Sequence, residues 1–366
     1  MKNAVLDVHW VRFEMKFKKP AQTSRGALLS KPSWLIRLRD ENGRTGWGEC
    51  SVIPGLSLDD SLAIEFQLQR LRQCREITLE LIPNDLPALH FALETALADL
   101  HSKDDFAPFP GSFSSGSSRI EINGLIWMDR PEELIAQAES LIKLGFNTLK
   151  AKVGALPFDQ ELEWIQTIRE LAPDVVFRVD ANGAFSTPET GWTPQRKLEA
   201  LAKLGLHSIE QPLKPDDRIA LAKLCASSPL PIALDESLIG VSRAERGELL
   251  DAVGPAFLVL KPSLLGGLAA SQDWILEAER RGMRWWVTSA LETNLGLNAI
   301  AQWTANGVQS NQDLLPQGLG TGGLFVNNVS SPLKVSDGYL SADGPHPWQE
   351  PELKLGGFEH NSSIES

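Results

Sequence analysis

The chain reads as an α/β protein built on a TIM barrel with a smaller α+β domain ahead of it, and three observations predict this. Five short clusters of ionisable residues each end an apolar run: Lys150-Ala151-Lys152, Asp180-Ala181-Asn182, Glu210-Gln211-Pro212, Asp235-Glu236-Ser237 and Lys261-Pro262. They recur every ~25–30 residues, the length that one strand, one loop and one helix consume in a (β/α)8 barrel. Strand and helix patterns also alternate almost without gaps beyond residue 118, which argues for parallel strands with helical crossovers. Finally, 366 residues exceed the roughly 250 of a barrel and leave room for one further unit.

The N-terminal part differs from the rest. Val5–Phe17 and Trp34–Leu38 read as strands, and Gly43, Gly46 and Gly48 punctuate a turn into a third. Leu58–Arg75 and Leu86–Leu100 carry apolar positions at helical spacing, the second announced by Pro83, Asn84 and Asp85. Pro108-Phe109-Pro110-Gly111 and the serines at 112, 114, 115, 117 and 118 then form a linker-like stretch that marks a domain boundary near residue 118.

Past the linker, strands are expected at Ile120–Trp127, Thr148–Val153, Val175–Asp180, Ser208–Gln211, Ile232–Asp235, Phe257–Lys261 and Arg284–Thr288. Helices are expected between them, at Pro131–Leu144, Asp159–Leu171, Pro194–Leu204, Asp216–Cys225, Ala244–Asp251 and Leu268–Arg281. A last helix near Leu295–Thr304 leads to an eighth strand expected near Val308–Asn311. The charged clusters then fall at the carboxyl ends of successive strands, the face where such barrels do chemistry.

Composition narrows the function classes. A hydrophobic fraction of 42%, with eleven Trp and fourteen Phe, supplies a large core. A net charge of −12 disfavours nucleic acid or an anionic membrane as main partner but permits a local cationic pocket. Cys50, Cys74 and Cys225 are odd in number and far apart, so neither a disulfide framework nor a cysteine metal site is indicated, and a cytoplasmic setting is expected. No stretch reaches about 18 uncharged apolar residues, so no membrane span is expected. Oligomeric state is not legible.

Residues two apart on a strand share a face, so Lys150 projects with Lys152 and Asp180 with Asn182. Asp235 and Glu236 must diverge, so Asp235 is assigned to a metal and Glu236 to a neighbouring group such as Lys261. Oxygen ligands from Asp180, Glu210 and Asp235 suit Mg²⁺, with Mn²⁺ as a possible substitute, better than Zn²⁺. An ammonium becomes a base only when its pKa of about 10.4 falls toward about 7–8, which like charges and a divalent cation can bring about. One lysine could then remove a proton from carbon beside a carboxylate, giving an ene-diolate. Any one of these residues alone would ordinarily be a satisfied ion pair, and it is five clusters in phase that point to a site.

This set of clusters resembles the enolase superfamily, muconate-lactonizing-enzyme subgroup, over nearly the whole chain. Ser289-Ala290-Leu291-Glu292-Thr293-Asn294-Leu295-Gly296-Leu297-Asn298, Gln317-Gly318-Leu319-Gly320-Thr321-Gly322 and Thr23-Ser24-Arg25-Gly26 resemble the o-succinylbenzoate synthase family within it. The resemblance implies a modified (β/α)7β barrel at 119–325, capped by an α+β domain at 1–118 on which the C-terminal segment 326–366 packs. Mobile loops of the cap, containing Thr23–Gly26 and Trp47-Gly48-Glu49, would close the barrel mouth.

It also implies a small-molecule carboxylate substrate and Mg²⁺-dependent dehydration of 2-succinyl-6-hydroxy-2,4-cyclohexadiene-1-carboxylate to 2-succinylbenzoate, in menaquinone or phylloquinone biosynthesis. By the same resemblance Lys152 removes the α-proton and returns it to the departing hydroxyl, while Lys261 stabilises the intermediate from the opposite face. Lys150 supports the substrate carboxylate, and Asn182 and Glu236 stand behind the metal ligands. Ser289, Thr23, Arg25, Gly320 and Thr321 would contact substrate.

Two other readings remain open at this level. An N-acylamino acid racemase or dipeptide epimerase would use the same two lysines across the substrate, and a metal-free Schiff-base lyase or a binding barrel without turnover would need no cation. Gly318-x-Gly320-x-x-Gly323 matches a dinucleotide fingerprint formally, but Leu324–Val326 after it reads as strand, so no nucleotide is expected. The six histidines form no metal spacing, and His207 is expected to pack where a strand begins.

Overall fold

The computed structural model describes residues 5–23, 26–74 and 76–351. Its first sheet is antiparallel, ordered β1 (Val5–Thr23), β2 (Gly26–Asp40) and β3 (Thr45–Ser51). Two helices, α1 (Ser61–Leu71) and α2 (Pro87–His101), cover one face of this sheet. Period-two alternation decides which residues meet them: Trp34, Ile36, Leu38 and Cys50 pack against Ile64, Leu68, Leu89 and Leu93. Helix α1 starts later than its apolar spacing predicts because Asp60 caps it, accepting from the Leu62 and Ala63 amides.

The opposite face of the sheet is directed to the rest of the chain. Leu35 and Trp47 there pack with Phe106, Leu295 and Val329. Trp47-Gly48-Glu49, expected in a mobile loop, instead lies within β3. The glycines explain it: a Cβ on Gly48 would stand 1.9 Å from the Ala92 carbonyl oxygen, and one on Gly46 2.2 Å from that of Ala96. Only bare backbone lets β3 lie this close to α2.

A short strand β4 (Arg119–Glu121) is followed by β5 (Gly124–Ile126), α3 (Pro131–Lys143), β6 (Thr148–Lys152), α4 (Phe158–Leu171), β7 (Val176–Asp180) and α5 (Pro194–Lys203). Then come β8 (Ser208–Glu210), α6 (Arg218–Ser227), β9 (Ile232–Leu234), α7 (Arg246–Val253), β10 (Phe257–Leu260), α8 (Pro262–Leu265), α9 (Leu268–Glu279), β11 (Arg284–Val287) and α10 (Asn294–Gln302). Strands β5 to β11 form one parallel sheet in sequence order, the α/β barrel architecture that the cluster spacing predicts. Leu149, Ala151, Phe177, Val179 and Ile209 point outward to the helices, so the alternate residues face the barrel interior.

The eighth position is not where the sequence placed it. Segment 308–311 forms no strand; Gln309 is tied instead to the Gln272 side chain, through bonds of 2.9 and 2.7 Å. The gap between β11 and β5 is closed by Gln317 and Gly318, each through a single parallel bridge, to Ile122 and Thr288 respectively. Residues 324–326 are likewise not a strand: Gly322–Leu324 is a 3-10 turn, and Phe325 makes one bridge to Phe17. Past this seam, β12 (Lys334–Ser336) and β13 (Tyr339–Ser341) build a small antiparallel sheet with β4. Among the described residues no helix is long and apolar enough to cross a membrane.

Candidate active site

The strand register places the five clusters side by side. Lys152 is the neighbour of Asp180, and Asp180 of Glu210. Asp235 and Lys261 directly follow β9 and β10. The backbone turns sharply just after two of these strands, since Asn182 and Gln211 both have positive φ, 42° and 40°. Gln211 makes the turn useful: its Oε1 accepts from the Asp235 and Ser237 amides at 3.1 and 3.2 Å, and its Nε2 donates to Ser237 Oγ at 2.7 Å. The Glu-Gln-Pro and Asp-Glu-Ser motifs are thus one bonded unit.

The charges interleave. Lys150 Nζ reaches Glu210 at 2.6 and 2.7 Å and Asp180 Oδ2 at 3.0 Å. Lys152 Nζ donates to Asn182 Oδ1 at 2.5 Å and lies 3.9 Å from Asp180 Oδ2. Lys261 pairs with Asp235. Glu236 does not hold Lys261, as its sequence position led us to expect; its Oε1 accepts from Asn182 Nδ2 at 2.9 Å. The adjacent Asp235 has already taken that ammonium, and its neighbour must point the other way.

Electrostatics follow from this packing. Burial opposes charge on Lys150 and Lys261, but the surrounding carboxylates outweigh it and hold both amines above the ordinary lysine value. Burial alone would raise Asp180, yet Lys150, Lys152 and Lys261 hold it below the usual carboxylate range. Burial and the neighbouring Asp180 push Glu210 well up, and burial with Asp235 pushes Glu236 to about 7.

Asp180, Glu210 and Asp235 are each 2% exposed, and all three offer oxygen only. As they stand, among the described residues, no three His, Cys, Asp or Glu side chains are grouped closely enough to hold a metal ion, because lysines lie between them. The chemistry of the set nonetheless fits a hard divalent cation. Asp180 and Asp235 both push the buried Glu210 upward, and Glu236 Oε2 is buried with no hydrogen-bond partner.

An open cleft of about 990 Å³ lies over these groups. Lys150, Lys152, Asp180, Asn182, Glu236, Lys261, Ser289, Gly320 and Thr321 line it, so the strand ends and the two glycine-rich and serine-rich motifs do come together. Ser289 Oγ is already committed, donating to Glu292 Oε2 at 2.6 Å while accepting from the Leu291 amide at 2.8 Å. Arg25 lies outside the described residues, and Thr23 is described only as the last residue of β1.

The sequence reading missed two groups of lining residues. Leu28, Ile53, Pro54 and Leu56 reach the cleft from the N-terminal sheet and its loops, where no charge or motif distinguishes them. Asn123, Leu125 and Trp127 reach it from the first barrel strand. Asn123 Oδ1 and Thr321 Oγ1 are buried there without partners. Beneath them Arg178, two residues before Asp180, stacks 4.2 Å over Trp286 and donates to the Pro316 carbonyl at 2.8 Å. Its alternation with Asp180 was the available signal.

The geometry has counterparts. The family model described as enolase C-terminal domain-like matches residues 133–345. An o-succinylbenzoate synthase from Desulfotalea psychrophila is 44% identical, over 92% of this chain and 98% of its own length. The crystal structure of MenC from that organism superposes with a TM-score of 0.79 at 39% identity, covering 92% of this chain and 99% of that one. At 23% identity, a dipeptide epimerase from Cytophaga hutchinsonii, solved with Mg and the dipeptide D-Ala-L-Val, shares the fold, with a TM-score of 0.79 over 96% and 97% of the two chains. The chain belongs to the enolase superfamily, in its muconate-lactonizing-enzyme subgroup, and within that subgroup it is similar to the o-succinylbenzoate synthases.

Proposed function

We propose that this protein is an o-succinylbenzoate synthase, a hydro-lyase that dehydrates 2-succinyl-6-hydroxy-2,4-cyclohexadiene-1-carboxylate to 2-succinylbenzoate, serving menaquinone or phylloquinone biosynthesis in the cytoplasm. The observation that carries the reading is the placement of two lysines in one cleft. β6 and β10 are separated by β7, β8 and β9, so Lys152 and Lys261 approach a bound substrate from opposite sides of the barrel. The near-full-length likeness to a synthase supplies the substrate class.

In this reading Asp180, Glu210 and Asp235 hold Mg²⁺, for which Mn²⁺ can substitute. Bound there, the cation would supply positive charge toward the substrate carboxylate. Lys152 takes the proton from the carbon bearing that carboxylate, and the electron pair moves into an ene-diolate. The carbon–oxygen bond to the ring hydroxyl then breaks, the ring becomes aromatic, and Lys152 returns its proton so that water leaves. Lys261, on the opposite face, offsets the developing negative charge. Lys150 holds Glu210 and Asp180 in place and faces the carboxylate end. Asn182 orients Lys152 and is itself held by Glu236. Ser289, Gly320 and Thr321 flank the succinyl arm, with Thr23 and Arg25 assigned to substrate by motif.

We further take residues 1–118 as a capping domain, 119–325 as the catalytic barrel and 326–366 as a segment returning to the cap. Val329 packing on Leu35 and Trp47, and Trp348 stacked 4.7 Å from Phe106, support that return. The opposed lysines also favour one second reading, exchange of an α-proton in an N-acylamino acid or dipeptide. Assaying purified protein with the cyclohexadiene acid and with L-Ala-L-Glu, each with Mg²⁺ and with EDTA, separates the two. Dehydration that EDTA abolishes and Mg²⁺ restores is expected; turnover of the dipeptide alone would sink the synthase assignment.

A further inference from the structure

The barrel-facing side of β2 carries a lysine that no step above uses. Lys31 is fully buried, opposite Met15 in the β1–β2 ladder. Its ammonium donates to Ser51 Oγ at 2.8 Å and to Ser33 Oγ at 3.0 Å, with the Pro32 carbonyl at 3.5 Å and Met15 Sδ at 3.6 Å around it. None of these is a carboxylate. A buried cation without a direct counter-charge is costly, so its contacts must do something that an apolar residue would not.

An ammonium has three protons and no lone pair. A serine that accepts from it must turn its own proton elsewhere. Ser51 Oγ donates to the Ala290 carbonyl at 3.1 Å, and Ser33 Oγ donates to Glu49 Oε1 at 2.8 Å. Glu49, also fully buried, accepts from the Thr293 amide at 2.9 Å, the Thr293 hydroxyl at 2.5 Å and the Gly296 amide at 3.0 Å. Two hydrogen-bond chains therefore start at one nitrogen, cross from the N-terminal sheet to the barrel, and end on either side of Leu291 and Glu292. Leu291 lines the cleft, and Glu292 holds Ser289.

We propose that Lys31 is a positioning residue: by fixing the direction of two serine hydroxyls it locks the N-terminal sheet onto residues 289–296 and holds the Ser289–Leu291 wall of the cleft in place. The effect on turnover rests on the dehydration proposed above; the effect on the backbone does not.

Lys31→Met keeps an unbranched side chain, one atom shorter, and removes its donors. In the full-length protein without ligand, amide hydrogen exchange at Thr293 and Gly296 should quicken about tenfold, the worth of one buried hydrogen bond, while Val179 in β7 is unchanged. With the cyclohexadiene acid and Mg²⁺, KM should rise more than kcat falls, and kcat/KM should drop about tenfold or more, as expected when a binding wall shifts. Ser33→Ala, a smaller change, should quicken Thr293 and Gly296 in the same direction, and the double variant should add little to Lys31→Met. Wild-type exchange at both amides in both variants overturns the proposal, as does quickening that extends equally to Val179. If the wild type fails to dehydrate the acid while the exchange pattern holds, the function reading falls and the role of Lys31 stands.

Discussion

Lys152 donates to the side-chain oxygen of Asn182, a neutral acceptor, whereas Lys150 and Lys261 are each held by carboxylates. Of the three amines in the cleft, Lys152 is therefore the one whose direct hydrogen-bond partner brings no negative charge. The base role proposed for Lys152 rests on this difference in partners, and removal of the side chain tests it.

Lys152→Ala is accordingly expected to lower kcat by at least about 10²- to 10⁴-fold, the usual worth of a positioned acid or base. Steady-state kinetics with the cyclohexadiene acid measure this directly. Dehydration at a near-normal rate would remove Lys152 from the mechanism.

Asp180→Asn takes one negative charge from the oxygen set and leaves its shape. Mg²⁺ affinity should weaken by at least about tenfold, as for a lost charged ligand. Titration calorimetry on the apo protein reads it, and an unchanged dissociation constant strikes Asp180 from the ligands.

Gly48→Ala forces a methyl to 1.9 Å from the Ala92 carbonyl oxygen, so α2 and β3 must part. A loss of at least about 1–3 kcal/mol is expected from such overpacking. Urea unfolding followed by far-UV circular dichroism tests it; an unshifted midpoint would mean that the sheet and helix are less tightly joined than they are here.

His207 packs 5.0 Å from Phe257 with Nδ1 2.9 Å from Ser208 Oγ, as expected for a histidine beginning a strand. Burial, with Arg178 and Arg284 nearby, lowers its pKa to about 4. The unfolded chain, with a pKa near 6.5, binds this proton first, so stability falls as pH drops from about 6.5 toward 4 and is flat above. His207→Phe should therefore gain on the wild type between pH 7.5 and pH 5. Melting curves at the two pH values that shift in parallel for both proteins would refute it.

The barrel and its charged clusters were legible because both are periodic. Apolar runs mark strands, and a cluster at each run's end marks the catalytic face. What escaped was set by contacts distant in sequence. Gln317 and Gly318 complete the barrel with one bridge each, too short to leave a strand pattern. Glu236 turned to Asn182 because Asp235 had already taken Lys261, a competition that spacing alone does not reveal. Trp47-Gly48-Glu49 was placed in a loop by resemblance alone, whereas Gly46 and Gly48 lie in a strand that only bare backbone lets approach α2. Leu28, Pro54 and Leu56 carry no chemical signature and enter the cleft through the arrangement of the two parts of the chain.

The seam at Gln317 has its own meaning. Backbone bonds join it to both neighbours, the Gln317 amide to the Glu121 carbonyl and the Gly318 amide to the Val287 carbonyl, each at 2.8 Å, and the Gln317 carboxamide adds a further fastening, its oxygen accepting from the Val287 amide at 2.7 Å and its nitrogen donating to the Leu315 carbonyl. Gly318, Gly320 and Thr321 hang from that fastening and form one side of the cleft. Because one side chain ties this panel to β11 as well as its backbone does, loss of that carboxamide should loosen the substrate-facing edge before the rest of the barrel.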